Sequence, residues 1–230
     1  MENKRIKITV GVPNSSEFLH RKFVQSLMSL EYPQNTDVNF TMIYGYQLPF
    51  ARNKIVEEAL KNHSDYLLFI DADMVFPPKL LIKLLSHDVD IVNALAFRRT
   101  APHYPCIFKW DEEKKCYETM AYYSGLQEVD ATGMPAILIK TDVFRNIQKP
   151  WYYYRDNLFS SDLTFCENAK KAGYKILIDT DLKIGHLGEE IVVDEQFYLN
   201  HLSIEEKEKW NSQMREFIEK KAVEKENFKR

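Results

Sequence analysis

The sequence contains few cysteines and glycines, and it has no long apolar run. Its three cysteines, Cys106, Cys116 and Cys166, show no Cys-x-x-Cys spacing, so neither a disulfide framework nor a zinc site is indicated. Cys106 and Cys116 flank a predicted hairpin and could pair, but we expect reduced thiols and a cytoplasmic protein. No stretch of about 18 apolar residues is present, and the polar N-terminal segment does not resemble a signal peptide. We therefore expect no transmembrane segment.

The sequence also lacks an excess of positive charge. It has 31 Lys and Arg against 34 Asp and Glu, a formal net charge of −3, so no general polyanion-binding role is indicated and no nucleic-acid patch is evident. Aromatic residues are abundant, with 13 Tyr and 14 Phe, which suits a site that holds rings. The 230 residues, 45% of them hydrophobic, are typical of a globular protein with one large domain.

The most informative segment is an apolar run that ends in two carboxylates. Residues 67–70 read Leu-Leu-Phe-Ile, and Asp71, Ala72 and Asp73 follow. The run is typical of a strand buried on both faces. Because unpaired carboxylates are costly to bury, the pair should lie at the strand end, facing a cleft. Side chains two residues apart on an extended segment point to the same side, so both could bind one Mg²⁺ or Mn²⁺. An Asp at a strand end is also a common turn residue or helix cap.

Strand and helix patterns alternate over residues 1–94. We predict strands at residues 6–12, 38–44, 66–70 and 89–94. We predict helices from Asn14, whose spacing to Glu17 resembles a capping box, to about residue 30, and at residues 51–62 and 78–85. The alternation predicts a parallel sheet flanked by helices. In such sheets ligands bind beyond the carboxyl ends of the strands, where both the Asp pair and the turn at Pro13 and Asn14 should lie.

The second half of the chain has a different pattern. We predict a hairpin of residues 104–110 and 116–120, strands at residues 127–131, 136–140 and 174–178, a helix at residues 162–172 and a loop at residues 185–188. Ser203 and Glu206 form a capping-box pattern for a last helix that reaches about residue 224. Because it has few apolar positions, we predict that this helix packs along one side of the molecule or mediates an association, such as homo-oligomerisation.

Six short segments occur in a characteristic order along the chain: Val10-Gly11-Val12-Pro13-Asn14, Ala51-Arg52-Asn53, Phe69-Ile70-Asp71-Ala72-Asp73, Ala131-Thr132-Gly133-Met134-Pro135-Ala136, Ser161-Asp162-Leu163-Thr164-Phe165-Cys166 and His186-Leu187-Gly188. None is specific alone. Together, over about residues 6–190, they resemble nucleotide-sugar glycosyltransferases of the glycosyltransferase-A fold, with family 2 and the mannosylglycerate-synthase-like enzymes as the nearest likeness.

The resemblance implies an α/β fold: a Rossmann-like, mostly parallel sheet flanked by helices, with a smaller mixed acceptor-side region and a C-terminal helix. It also implies a division of the chain. Residues 1–200 would form the catalytic domain, with a nucleotide-binding half at residues 1–97 and an acceptor half at residues 98–200. Residues 201–230 would form the C-terminal helix.

The resemblance further implies a metal-dependent enzyme that moves a sugar from a UDP- or GDP-linked donor to a hydroxyl of a sugar-containing or other acceptor. Mn²⁺ or Mg²⁺ would stabilise the departing diphosphate as a Lewis acid. Asp73 is expected to bind the metal, Asp71 to serve the metal and the ribose, and His186 to complete the coordination. Asp162 lies at the position of the catalytic base.

The usual Glu-Asp pair at that position is here Ser161-Asp162, which leaves inverting and retaining chemistry both open. An inverting enzyme would use Asp162 to deprotonate the acceptor, whereas a retaining enzyme would need no such base. Asp162 is also a first-turn residue that would complement the helix dipole.

Two groups of residues complete the expected site. Arg52 could pair with the diphosphate through both of its terminal nitrogens, and Tyr44 could stack on the base. The expected donor residues are Pro13, Asn14, Tyr44, Arg52, Asn53, Asp71 and Ala72. The expected acceptor or donor-sugar residues are Gly133, Met134, Arg98 and Trp110.

Three other functions share parts of these patterns. A sugar nucleotidyltransferase has similar architecture, but residues 13–17 lack a glycine-rich basic loop. A phosphatase of the haloacid-dehalogenase type carries Asp-x-Asp on a chain-opening strand, unlike Asp71 and Asp73. A catalytically silent nucleotide-sugar-binding domain would keep the metal ligands without turnover.

Overall fold

The computed structural model describes residues 5–155, 160–188 and 192–227, with side chains described up to residue 219. In chain order the elements are β1 (Ile6–Asn14), α1 (Arg21–Met28), β2 (Thr36–Tyr44), α2 (Leu48–Lys61), β3 (Tyr66–Ile70), β4 (Met74–Val75), α3 (Leu80–Leu85), β5 (Ile91–Leu95), β6 (Ile107–Asp111), β7 (Cys116–Thr119), β8 (Leu126–Val129), β9 (Ala131–Thr132), β10 (Ala136–Lys140), α4 (Thr141–Asn146), α5 (Ser161–Lys171), β11 (Ile176–Lys183), β12 (Gly185–Leu187), β13 (Val192–Val193), α6 (Glu195–His201) and α7 (Ile204–Asn227).

A seven-stranded sheet in the order β2-β1-β3-β10-β5-β11-β8 forms the centre of the fold. Strands β1, β2, β3, β5 and β11 run in one direction, and β10 and β8 run against them. The predicted α/β architecture, a mostly parallel sheet flanked by helices, is therefore confirmed. The parallel direction predicted for the strands of residues 1–94 is confirmed for β1, β2, β3 and β5. Strand β10, from the second half of the chain, lies between β3 and β5 and runs against them.

The antiparallel strand β10 has a direct consequence for the strand ends. Its first residue, Ala136, pairs with Ile70, the last residue of β3. The preceding segment therefore lies beside the Asp pair, and the amide of Asp71 donates to the carbonyl of Pro135 at 3.0 Å. The segment at Pro135, 64 positions after Asp71, is thus brought to the carboxyl end of β3.

Strand β3 is buried on both faces, as its continuous apolar run predicts. Leu67 and Phe69 pack into one hydrophobic cluster, which includes Ile55 of α2 and residues of α4 and α5. Leu68 and Ile70 pack into a second cluster with residues of α1 and α3. Each face of the sheet is thus covered by helices, and the strand ends are left to form the site.

Two small sheets flank the central one. Strand β12 pairs with β4 and β13, so that His186 lies opposite Met74 and Val193. The segment predicted as a loop at residues 185–188 is therefore a strand from Gly185 to Leu187. Its two glycines are typical of loops and led to the loop prediction. Strands β7, β6 and β9 form the second small sheet and contain the predicted hairpin.

The two predicted capping boxes have opposite outcomes. The Ser203 and Glu206 box is confirmed, since the Ser203 amide donates to Glu206 at 2.8 Å and the Glu206 amide donates to Ser203 Oγ at 3.1 Å. The Asn14 and Glu17 box is wrong: α1 begins only at Arg21, and the Asn14 side chain closes a turn with the backbone of residue 16. An Asn can bond its local backbone in a turn as well as in a helix cap.

The last helix, α7, packs along the hairpin side of the molecule. Its Trp210 contacts the rings of Tyr122 and Tyr198, and Phe217 stacks on Tyr123 with ring centroids 3.8 Å apart. Homo-oligomerisation through this helix stays a prediction. Among the residues the structure describes, no helix is long and apolar enough to cross a membrane.

Candidate functional site

Two cavities lie near the ends of the central strands. The strand-end cavity, of about 420 Å³, is lined by Pro13, Asn14, Ser15, Phe18, His20, Tyr46, Leu48, Ala51, Asp71, Ala72, Asp73 and Arg99. The hairpin cavity, of about 480 Å³, is lined by Arg98, Cys106, Phe108, Lys115, Cys116, Tyr117, Thr132, Gly133, Ser160, Asp162 and Leu163. Five expected donor or metal residues line the first cavity, and three of the expected acceptor and catalytic residues line the second.

Asp73 and His186 meet beside the strand-end cavity although 113 positions separate them. Nε2 of His186 lies 3.1 Å from Oδ2 of Asp73, and Nδ1 lies 2.9 Å from the carbonyl oxygen of Phe97. A carbonyl can only accept, so Nδ1 carries a proton and donates it to Phe97. This backbone contact fixes the ring and points Nε2 toward the carboxylate, as is usual for histidines that bind metals.

The two groups stabilise each other's charged forms. Burial would lower the pKa of His186, but the hydrogen bond and charge of Asp73 outweigh it and raise the pKa. Burial likewise would raise the pKa of Asp73, but His186, together with Arg99, holds it below its ordinary value. Asp73 therefore keeps the anionic form that a cation needs.

Asp71 has a different partner. Nη2 of Arg52 lies 3.0 Å from Oδ1 and 3.3 Å from Oδ2 of Asp71. Burial raises the pKa of Asp71, and the neighbouring Asp73 adds to the rise, whereas the Arg52 guanidinium opposes it. The two carboxylates thus diverge, Asp73 toward His186 and Asp71 toward Arg52.

Arg52 also binds Asp162. Its Nη1 donates a hydrogen bond to Oδ1 of Asp162. The same oxygen also accepts a hydrogen bond from the Ser161 hydroxyl, at 3.3 Å. The Arg52 side chain is fully buried, so the structure places it between two carboxylates and outside the lining of the strand-end cavity. Ser160 caps α5, and Asp162 lies in the first turn of the helix.

Within the hairpin cavity, Gly133 lies against Asp162. A Cβ at Gly133 would lie 3.9 Å from Oδ2 of Asp162, an ordinary van der Waals distance, so this oxygen lies next to the Gly133 segment. The side chain of Asn93 donates to the Gly133 carbonyl at 2.9 Å and fixes the segment. Arg98 lies in the same cavity with its guanidinium 5.5 Å from the ring centroid of Phe108.

Besides Arg52 and His186, four expected site residues do not line either cavity. The Asn53 side chain binds the backbone of residues 49, 151 and 152. Met134 is buried, with its sulfur 3.7 Å from the Tyr152 hydroxyl. Tyr44 is exposed at the end of β2, and Trp110 lines a separate cavity beside Tyr117.

The sequence did not single out several residues of the strand-end cavity. Tyr46 lines the cavity and packs on Phe50 with ring centroids 4.7 Å apart, whereas Tyr44 does not line it. Arg99 is an exception, because the adjacent Arg98-Arg99 pair in the sequence predicts a cationic site; it lies 3.4 Å from Asp73. Phe18 and His20 reach the cavity because α1 starts later than predicted.

The protein ligand atoms at this site, from Asp73 and His186, fit a cation whose remaining ligands are oxygens of a bound phosphate or of water. Among residues 5–155, 160–188 and 192–227, no group of three His, Cys, Asp or Glu side chains is arranged to hold a metal ion. Asp73 gives one oxygen, and His186 gives one nitrogen once its Nε2 has lost its proton to let the cation bind. Mg²⁺ is commonly bound by one or two protein side chains and completed by phosphate oxygens and water, and imidazole suits Mn²⁺-type metals as a ligand.

Comparison with known proteins identifies the fold. No protein-family model and no curated protein sequence matches the chain. Among solved structures, the chain is similar to the crystal structure of A197 from STIV, with a TM-score of 0.62 and 16% sequence identity over 82% of this chain and 90% of that one. At this identity the likeness shows a shared α/β fold.

Proposed function

We propose that the chain is a metal-dependent glycosyltransferase of the glycosyltransferase-A fold. It would move a sugar from a nucleoside-diphosphate sugar to an acceptor hydroxyl. The observation that carries the proposal is the meeting of Asp73 and His186 beside a cavity at the carboxyl ends of the central strands, where α/β folds bind their ligands. The motif resemblance over residues 6–190 supports it.

The strand-end cavity is the proposed donor site. Asp73 and His186 would hold Mn²⁺ or Mg²⁺, which supplies Lewis-acid stabilisation of the leaving diphosphate when bound. Pro13 and Asn14, at the end of β1, and Tyr46 line the cavity, where they can contact base and ribose. Arg99 is 58% exposed in its side chain and can neutralise phosphate oxygens.

The hairpin cavity is the proposed acceptor site. Oδ1 of Asp162 is held by Arg52 and Ser161, while Oδ2 lies beside Gly133. In an inverting reaction Oδ2 would take the proton of the acceptor hydroxyl, a contribution of about 10²–10⁴-fold. In a retaining reaction the same oxygen would orient that hydroxyl.

Metal-dependent nucleotide binding tests the donor site. Calorimetric titration of UDP and GDP in Mn²⁺ should show binding to the wild type. Asp73→Ala should weaken this binding by at least about 100-fold, because mutating even the residues that orient a metal ligand lowers metal affinity by about 10–100-fold. The matched control is Asp37→Ala, which removes an exposed carboxylate paired with Arg5. Wild-type affinity for Mn²⁺ and nucleotide in Asp73→Ala would refute the metal assignment.

A further inference from the structure

One buried guanidinium joins the two cavities. The Arg52 side chain is fully buried and binds Asp71, which lines the strand-end cavity, and Asp162, which lines the hairpin cavity. The two acids are 91 positions apart in the sequence and arise from different elements. Arg52 therefore forms a direct link between the proposed donor and acceptor sites.

The local structure holds this guanidinium in one place. Arg52 lies in the first turns of α2, and its Cζ lies 5.7 Å from the ring centroid of Tyr152. The next residue, Asn53, fixes the backbone that carries Tyr152. With its stem packed in the core and its two terminal nitrogens engaged by different acids, the side chain has little freedom to turn toward a ligand.

Burying the Arg52 guanidinium has a free-energy cost that stability alone does not explain. Nε of Arg52 is buried and has no partner among the described residues, and burying an unpaired polar group is unfavourable. Apolar residues of similar volume often replace buried ion pairs without loss of stability. A role in the site gives a reason for the charge.

We propose that Arg52 is a positioning residue that fixes Asp71 and Asp162 relative to each other, and so aligns the donor with the acceptor. This inference rests on the proposed glycosyltransferase function. It replaces the expectation that Arg52 binds the donor diphosphate. Because Arg52 takes Oδ1 of Asp162, Oδ2 is the oxygen left facing Gly133 and the acceptor.

The planar fork of arginine is essential to this role. Its separate nitrogens can bind two acids on different sides, whereas the ammonium of lysine is a single point charge on a flexible stem. Arg52→Lys keeps the charge and removes the fixed geometry. It is therefore the informative substitution, and Arg5→Lys is the matched control, because Arg5 binds Asp37 and the Thr36 carbonyl at the surface.

The first test measures release of nucleoside diphosphate from the donor sugar in Mn²⁺. We expect Arg52→Lys to lower kcat by about 30-fold or more, as misplacement of reacting groups by about 1 Å can cost 10²-fold, and to leave the KM for the donor within about threefold. Arg5→Lys should change neither constant. An unchanged kcat in folded Arg52→Lys would overturn the proposal, and so would a raised KM with normal kcat, which would mean that Arg52 binds the donor itself.

The second test needs no substrate. Thermal unfolding is compared for Asp71→Asn, Asp162→Asn and the double variant. Each single variant leaves Arg52 one carboxylate, whereas the double variant leaves the buried guanidinium charge without a carboxylate. We expect the double variant to lose at least about 5 °C more in Tm than the sum of the single losses, and the addition of Arg52→Met to restore much of that loss.

Additive losses, or no recovery with Arg52→Met, would overturn the link. If the wild type releases no nucleoside diphosphate from any donor while the unfolding data are non-additive, the proposed function fails and the Arg52 link stands. If release is normal and the losses are additive, the function stands and the link fails.

Discussion

At the scale of single residues, the two acids of the Asp71-Ala72-Asp73 segment have different partners. The sequence predicted that both would lie at a strand end, because buried carboxylates need partners, and both line the strand-end cavity. It did not predict that Asp71 would bind Arg52 or that Arg52 would also bind Asp162. Those contacts depend on how α2 and α5 pack, and no local pattern encodes that packing.

Asn53 gives a residue-scale prediction that separates structure from donor binding. Its side chain makes hydrogen bonds of 2.7–3.2 Å to the backbone of residues 49, 151 and 152. Asn53→Ala would leave buried backbone groups without partners, at about 1–3 kcal/mol each, so we expect the free energy of unfolding in urea to fall by about 2–4 kcal/mol.

The affinity of Asn53→Ala for Mn²⁺ and nucleotide should stay at the wild-type value. The control is Asn146→Ala, whose side chain makes one exposed hydrogen bond to Tyr174 and should cost under about 1 kcal/mol. A stable Asn53→Ala variant with weakened nucleotide binding would instead support the donor role expected from the sequence.

At the scale of elements, strands with strong apolar patterns were predicted well and their neighbours in the sheet were not. The bounds of β3 and β10 match the prediction, because apolar runs flanked by polar residues define them locally. The insertion of β10 between β3 and β5 depends on contacts between residues far apart in the sequence. Short elements such as β4, β12 and α6 were missed, since two to seven residues carry little periodicity.

Strand β12 gives the element-scale prediction. A Cβ at Gly185 would overlap Cγ1 of Val192 on the paired strand β13, so Gly185→Ala should push β12 away from its neighbours and displace His186. We expect the variant to bind Mn²⁺ about 10-fold more weakly, because disturbing the groups that orient a metal ligand lowers metal affinity by about 10–100-fold. Titration followed by electron paramagnetic resonance measures this affinity.

Val192→Ala provides the matched rescue for that change. It removes the methyl group that the new Cβ would overlap, so the double variant Gly185→Ala, Val192→Ala should regain most of the Mn²⁺ affinity. Equal affinity in Gly185→Ala and the wild type would show that β12 does not set the position of His186.

At the scale of the whole molecule, the sheet separates two cores, and most of the expected site residues line the two cavities near the ends of the central strands. The cysteines offer a probe of this packing, and all three are free thiols. Burial raises the pKa of Cys166 and of Cys106 to about 12, so both remain protonated and unreactive at pH 8, because the thiolate is the nucleophile.

We therefore expect a thiol reagent at pH 8 to modify Cys116 alone in the native protein and all three cysteines after unfolding in guanidinium chloride. Mass spectrometry of the labelled peptides gives the sites. Rapid labelling of Cys166 under native conditions would contradict the core described around α5, in which Cys166 is fully buried.

The most direct measurement for the central claim is donor turnover. The wild type is incubated with a panel of UDP- and GDP-linked sugars in Mn²⁺ or in EDTA, and free nucleoside diphosphate is measured. We predict release from one class of donor in Mn²⁺, loss of that release in EDTA, and loss in Asp73→Ala. Saturable binding of Mn²⁺ and nucleotide without release from any donor would contradict the claim and indicate a catalytically silent binding domain.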